Sequence, residues 1–257
     1  MQESDEALLT AAAKAAGEIA MRHFGSKPRV WDKDEGAGPV TEADLEVNAY
    51  LEGFLKDARP DYGWLSEETD DTADRLETKR QFVVDPIDGT RAFIDGSKDW
   101  AHSIAIIEAG RSIAGVVFLP ARSELYVASK GSGAFLNDVV IATGVQDELA
   151  NATVLTTKPT MHAANWRGGV PPRFGKAFRS SLAFRMCLTA SGRFDAMLTL
   201  RPAWEWDIAA GAIIVEEAGG TVTDRNGSRL KFNNSTPKLD GVVAGGPVAK
   251  SLRMALA

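Results

Sequence analysis

The 257-residue chain is short of cysteine, histidine and long apolar runs, and each shortage excludes something. A lone cysteine, Cys187, cannot close an internal disulfide, so folding needs no oxidising compartment. His23, His102 and His162 lie far apart with no cysteine nearby, which argues against a zinc site of ordinary ligand spacing. The longest apolar stretches, such as 104–107 and 115–119, are strand-sized, whereas crossing a bilayer takes roughly 20 consecutive apolar residues, so no membrane role is expected. Basic residues are in deficit: 29 Lys and Arg against 35 Asp and Glu leave a net charge of −6, and no basic face for nucleic acid is expected. The N-terminus opens on acidic residues rather than a basic region and an apolar core, so no signal peptide is expected and the expected location is the cytoplasm. Cofactor and nucleophile signatures are missing too. There is no GxxxxGK[ST] loop and no GxSxG elbow, and after Gly131 and Gly133 a dinucleotide fingerprint would need glycine where Leu136 stands.

What is there is an ordinary globular composition, 44% hydrophobic and 25% charged, with 24 glycines that imply many tight turns between short elements. The length suits two closely packed lobes, expected over 1–145 and 146–257 with the boundary in the 144–151 stretch. Leu8, Leu9, Ala12, Ala15, Ala16, Ile19 and Ala20 share one helical face before Gly25 and Pro28. A polar, glycine-bearing loop is expected over 32–39, and Thr41 then caps a second helix that ends before Pro60. From Gln81 the pattern changes to short apolar runs, 82–84, 102–107, 115–119 and 125–128, expected as a sheet with much antiparallel pairing. Further strands are expected at 152–156, 220–223 and 241–244, and helices at 181–191 and 207–218, giving an α/β or α+β layered protein. Cys187, inside an apolar helical stretch, reads as core rather than nucleophile, and His102 as structural.

The remaining chemistry is carboxylate. Asp85-Pro86-Ile87-Asp88-Gly89-Thr90 follows the apolar run 82–84, so two acids stand at a strand end in a turn shaped by Pro86 and released by Gly89. Hard oxygens in that position suit magnesium, and Gly89 with the Thr90 hydroxyl would let main-chain N–H groups approach an anion. An Asx turn explains the same residues equally well. Glu67-Glu68 lies eighteen residues upstream, where a solvated charged loop is the plain alternative, and Asp207 stands at a helix start, where acids are favoured anyway. Thr41-Glu42-Ala43-Asp44 fits a capping box.

Taken together, the segments 39–44, 65–68, 85–90 and 206–211 (PVTEAD, LSEE, DPIDGT and WDIAAG) closely resemble, in order, those of the inositol monophosphatase superfamily of metal-dependent phosphatases. Segments 115–120, 131–137 and 216–220 extend the likeness over nearly the whole chain. The resemblance implies an α+β sandwich of alternating αβαβα layers, with most metal ligands on the first lobe. It implies a phosphomonoesterase in which Glu67, Asp85, Asp88, Asp207 and the main-chain oxygen of Ile87 bind two or three Mg2+ ions. Asp44, Thr90 and Glu67 would be catalytic, orienting and deprotonating water, while the N–H groups of Gly89 and Thr90 hold phosphate. Lithium inhibition, a homodimer and a small phosphorylated metabolite as substrate are further implications.

Substrate choice is where the likeness departs. Inositol phosphatases usually carry a glutamate seven residues before the tryptophan-linked aspartate, and Leu200 occupies that position here. Leu65 before the acids, and Ser180-Ser181-Leu182, look more like the branch that takes the 3′ phosphate from adenosine 3′,5′-bisphosphate. Ser180, Ser181, Arg201 and Trp204 are therefore expected at the substrate, with Arg179, Arg201 or Trp204 meeting a second phosphate or a base. The alternative is inositol 1-phosphate, with fructose 1,6-bisphosphate and histidinol phosphate behind it. A non-catalytic metal-binding regulatory protein is the reading from a different class.

Overall fold

Ser4 opens the first helix, its hydroxyl accepting the Ala7 N–H at 3.1 Å with Asp5 and Glu6 at the positive end of α1 (Asp5–His23). The computed structural model describes residues 3–26, 28–33 and 38–257, so the middle of the loop expected over 32–39 lies outside the described residues. A short ribbon of β1 (Val30–Lys33) and β2 (Gly38–Thr41) flanks it and leads into α2 (Glu42–Ala58). The capping box expected from 41–44 is formed there by Thr41 and Asp44.

The larger sheet follows. β3 (Gly63–Ser66) pairs parallel with β4 (Arg80–Asp88), and α3 (Thr90–Ile94) interrupts before β5 (Ala101–Glu108), β6 (Arg111–Leu119), β7 (Glu124–Ser129), β8 (Gly133–Leu136) and β9 (Val139–Ile141) continue antiparallel. Its runs are apolar on both faces because both are covered. Phe82, Val84, Ile104 and Val116 meet α1 and α2, while Val83, Ala105, Ile107 and Val117 meet the next helical layer.

The second sheet comprises β10 (Thr153–Leu155), β11 (Gly175–Ala177), β12 (Ala196–Thr199), β14 (Thr221–Thr223) and β16 (Val242–Gly245), with the two-residue ribbon β13 (Ala203–Trp204) and β15 (Lys238–Leu239) beside it. Between the sheets lie α4 (Leu182–Ala190) and α5 (Glu205–Glu217), and α6 (Val248–Met254) covers the outer face of the second sheet. The order is helix, sheet, helix, sheet, helix, the layered sandwich expected. The helices expected at 181–191 and 207–218 and the strand centres expected between 82 and 128 all form; β8, β9 and β12 are too short and mixed to leave a clear period. Among the described residues no helix is long and apolar enough to cross a membrane.

Two close contacts seat α5 on the large sheet. A Cβ on Gly115 of β6 would fall 2.9 Å from the Ala210 Cα, so glycine is what lets the helix backbone approach. The hydroxyls of Ser103 and Ser112 donate to the carbonyls of Trp206 and Ala209, each at 2.8 Å. Asp207 is thereby brought to the end of β4.

Candidate active site

The pairing of β4 with β5 slips once, between Asp85, which faces Ser103, and Asp88, which faces Ala101. Pro86 and Ile87 thus share one partner, His102, in a β-bulge. Because Pro86 offers only an acceptor, the buried His102 Nδ1 must carry a proton and donate it to the Pro86 carbonyl. Burial pushes the imidazole pKa down to about 4, so the ring is neutral, and its Nε2 has no partner. The histidine is structural, as expected, and it anchors the turn that carries both aspartates.

Asp85, Asp88 and Asp207 offer carboxylate oxygens that all lie within 4.8 Å of one another. Asp85 is 1% exposed and its Oδ1 has no hydrogen-bond partner. Burial, then Glu67, Asp88 and Asp207, push its carboxyl well above the usual carboxylate range. Burial also raises Asp88, opposed by the Ser181 hydroxyl at 2.7 Å and the Ala183 N–H at 2.6 Å, both on Oδ2. Asp207 is raised by burial and then by Asp88 and Glu67, with Arg201 opposing. Glu67 directly follows β3, whose parallel register sets Ser66 beside Val84 and so Glu67 beside Asp85. Its N–H donates to the Val84 carbonyl at 3.2 Å, and the Ser66 hydroxyl donates to Asn48 Oδ1 at 2.7 Å, fixing that step.

Mutually repelling buried acids with an unsatisfied oxygen are costly without a cation, and an all-oxygen donor set fits Mg2+ better than a softer metal. The sequence-expected metal residues Glu67, Asp85, Ile87, Asp88 and Asp207 all line one cleft of about 520 Å³, with Gly89, Thr90, Ser180, Arg201 and Trp204. The Thr90 hydroxyl lies 3.3 Å from Asp44 Oδ1 and 3.2 Å from the Ile87 carbonyl. Asp44 Oδ2 accepts the Thr41 N–H at 2.8 Å and the Thr41 hydroxyl at 2.6 Å. The capping and catalytic explanations of Asp44 are thus two oxygens of one carboxylate. Gly89 has φ +100°, and a Cβ there would sit 3.0 Å from the Asp99 carbonyl.

Two substrate expectations need correction. Ser181 is fully buried as the N-cap of α4, its hydroxyl donating to Asp88 and accepting the Phe184 N–H at 2.9 Å, so it positions a carboxylate instead of touching substrate. Arg179 turns to Asp99, 3.7 Å away, and donates to the Phe178 carbonyl. Trp204 lines the cleft as expected, with Trp206 stacked on its ring at 4.6 Å and Lys238 Nζ 3.9 Å from its centroid. Conversely, Arg185 lines the cleft. Its sequence setting, six apolar residues of 182–188, gave only a core signal.

Residues 1–256 match the family model described as the inositol monophosphatase family. An inositol-1-monophosphatase of Mesorhizobium japonicum is 32% identical over 254 residues, 94% of this chain and 91% of that protein. A putative Nus factor SuhB of Neisseria meningitidis serogroup B is 31% identical over 226 residues, 84% and 85% of the two chains. Among solved structures, a Thermotoga maritima IMPase superposes with a TM-score of 0.83 at 28% identity, covering 96% of this chain and 94% of that one.

Proposed function

The chain belongs to the inositol monophosphatase family, whose members hydrolyse phosphate monoesters with the help of metal ions, and on that premise we propose that it is a Mg2+-dependent phosphatase for which inositol 1-phosphate is a substrate. The observation that carries the site is the convergence of Asp85, Asp88 and Asp207, distant in sequence, within 4.8 Å around an unpartnered buried oxygen. The substrate comes from the Mesorhizobium relative's name.

When bound to Glu67, Asp85, Asp88, Asp207 and the Ile87 carbonyl, Mg2+ supplies charge neutralisation and makes water more acidic. On this reading the lobe of 1–145 supplies all but Asp207, which the lobe of 146–257 adds. The Thr90 hydroxyl orients the attacking water and passes its proton to Asp44 Oδ1, because Oδ2 is already held by Thr41. The N–H groups of Gly89 and Thr90 face the phosphate, and Glu67 supports the water's orientation. The water oxygen bonds to phosphorus as the ester P–O bond breaks opposite it. The leaving alkoxide takes a proton from solvent, giving alcohol and inorganic phosphate.

A second substrate reading, adenosine 3′,5′-bisphosphate, is favoured by Leu200, since no acidic acceptor for sugar-like hydroxyls stands there. The relatives' names support the inositol phosphate reading instead. The Neisseria relative is named a putative Nus factor, which leaves room for the non-catalytic reading, and the convergence of Asp85, Asp88 and Asp207 favours catalysis over it. Phosphate release from inositol 1-phosphate and adenosine 3′,5′-bisphosphate, with magnesium and with chelator, tests the proposal. Magnesium-dependent release from inositol 1-phosphate is expected, and none from either substrate overturns it.

A further inference from the structure

We propose that Arg75 and Glu205, both bonded to Asn233 and Asn234, form a positioning clamp that sets the start of α5, and with it Asp207, against the turn that carries Glu67. The clamp governs magnesium affinity and leaves substrate choice alone. The inference rests on the phosphatase reading above, since it concerns the same acids.

Both charged groups are out of solvent, Glu205 fully and Arg75 with 2% exposed. Glu205 stands in the first turn of α5, where a carboxylate ordinarily faces the helix's own free N–H groups. Its oxygens go elsewhere. Oε2 accepts the Asn233 N–H at 2.7 Å, while Oε1 accepts the Asn234 N–H at 2.9 Å and the Asn234 side-chain amide at 2.7 Å. The Glu205 N–H in turn donates to the Pro237 carbonyl at 3.0 Å, so main chain and side chain both tie the helix start to residues 233–237.

Arg75 grips the same residues from the segment that follows β3. Its Nη1 donates to Asn233 Oδ1 at 2.6 Å and its Nη2 to the Asn234 carbonyl at 2.9 Å, across 158 and 159 residues of sequence. Nε and Nη2 also donate to the two oxygens of Asp71, at 2.6 and 2.8 Å, in the stretch that leads on from Glu67. Four of the five guanidinium donors are thus committed, which fixes its plane. Asn233 takes a left-handed conformation, φ +61°, and offers its N–H to Glu205 and its side-chain oxygen to Arg75.

Cohesion alone does not call for such a network. Apolar side chains of similar volume hold layers together as well as buried ions do, whereas a planar fork of hydrogen bonds fixes direction as well as distance. Ser103 and Ser112 already hold α5 to the large sheet, on the side of Asp85 and Asp88. The clamp adds the restraint toward Glu67. Mg2+ tolerates little departure from octahedral geometry, so a small shift between carboxylates on two elements costs affinity.

Titration calorimetry with Mg2+, read without substrate, tests the clamp beside magnesium-dependent phosphate release from inositol 1-phosphate. In Glu205→Gln and in Arg75→Lys the Kd for Mg2+ should rise about tenfold or more, the scale seen for residues that orient metal ligands, and half-saturating magnesium should rise with it. At saturating magnesium, kcat and KM should return to near the unsubstituted values. Asn234→Ala removes a bridge without touching either charge and should raise Kd by a smaller factor, which keeps the test decisive should a charge variant fail to fold. Val243→Ala, in the core between the second sheet and α6, is the control for lost stability: the unfolding temperature should fall with Kd unchanged. Unchanged Kd in the folded clamp variants overturns the clamp, as does an equal rise in Val243→Ala. Mg2+ binding by the unsubstituted chain without phosphate release overturns the phosphatase reading alone, and the Kd comparison still decides the clamp. No Mg2+ binding at all overturns both.

Discussion

The two walls of the cleft are built differently. On the acidic wall Asp85 and Asp88 stand on a strand covered on both faces and Asp207 in the first turn of a helix hooked to the same sheet by Ser103 and Ser112. On the basic wall Arg201 stands outside regular structure between β12 and β13, and Arg185 leans on loop carbonyls. The wall assigned to bond breaking is fixed by the core, where small displacements are costly. Arg201 is attached to a segment that can change without disturbing the layers, whereas Arg185 stands on α4 between the sheets and only its guanidinium meets the loop carbonyls.

The sharpest break of this comparison is Asp85→Asn. Phosphate release should fall on the order of 10³-fold, as for loss of a central electrostatic group, while the metal-free unfolding temperature holds or rises because one repelling buried charge has gone. Retained activity at saturating magnesium would remove the acidic wall from the chemistry. Next in size is the linkage to cation: magnesium at a hundredfold its Kd should stabilise the unsubstituted chain by about 2.7 kcal/mol, seen as a rise in unfolding temperature that Asp85→Asn abolishes.

His102→Ala strands the Pro86 carbonyl and should cost about 1–3 kcal/mol in denaturant unfolding, with more magnesium needed for half-maximal activity. His102→Asn, which keeps a donor near Nδ1, should recover part of both. Arg201, exposed between β12 and β13, should tolerate Arg201→Ala with stability held within about 0.5 kcal/mol in denaturant unfolding, so a large loss would show that this wall too is part of the core.

The smallest effect lies away from both. Glu46 is held below its ordinary pKa by His23 and Arg22, so what it contributes is present above the unfolded carboxylate pKa and lost as pH falls through the folded one. The pair is exposed, and Glu46→Gln should change unfolding at neutral pH by less than about 0.5 kcal/mol and not at all in strong acid.

Much of the acidic wall was legible because its determinants are local: a proline and a glycine bracket the aspartates, and Thr41 caps the helix that carries Asp44. Convergence was not readable from spacing, since Asp207 reaches β4 only through the approach at Gly115, and it entered through family resemblance. The basic wall is legible only in part: Arg201 stands among turn residues, Arg185 is hidden in an apolar helix, and no local signal says whether a hydroxyl at a helix start, such as that of Ser181, faces solvent or a neighbouring acid.

The slip in β4 also acts as a spatial frameshift. In an unbroken strand, residues three apart point to opposite sides of the sheet. Asp85 and Asp88 are three apart, yet their partners Ser103 and Ala101 are two apart, so both acids emerge on one side. A chain lacking one residue of the bulge could keep that parity and both carboxylates, but with a single residue between them where two now stand. What the extra residue adds is main-chain capacity, one carbonyl to be tied off by His102 and another left to face Thr90, so the motif's tolerance to insertion or deletion is set by backbone oxygens and not by its acids.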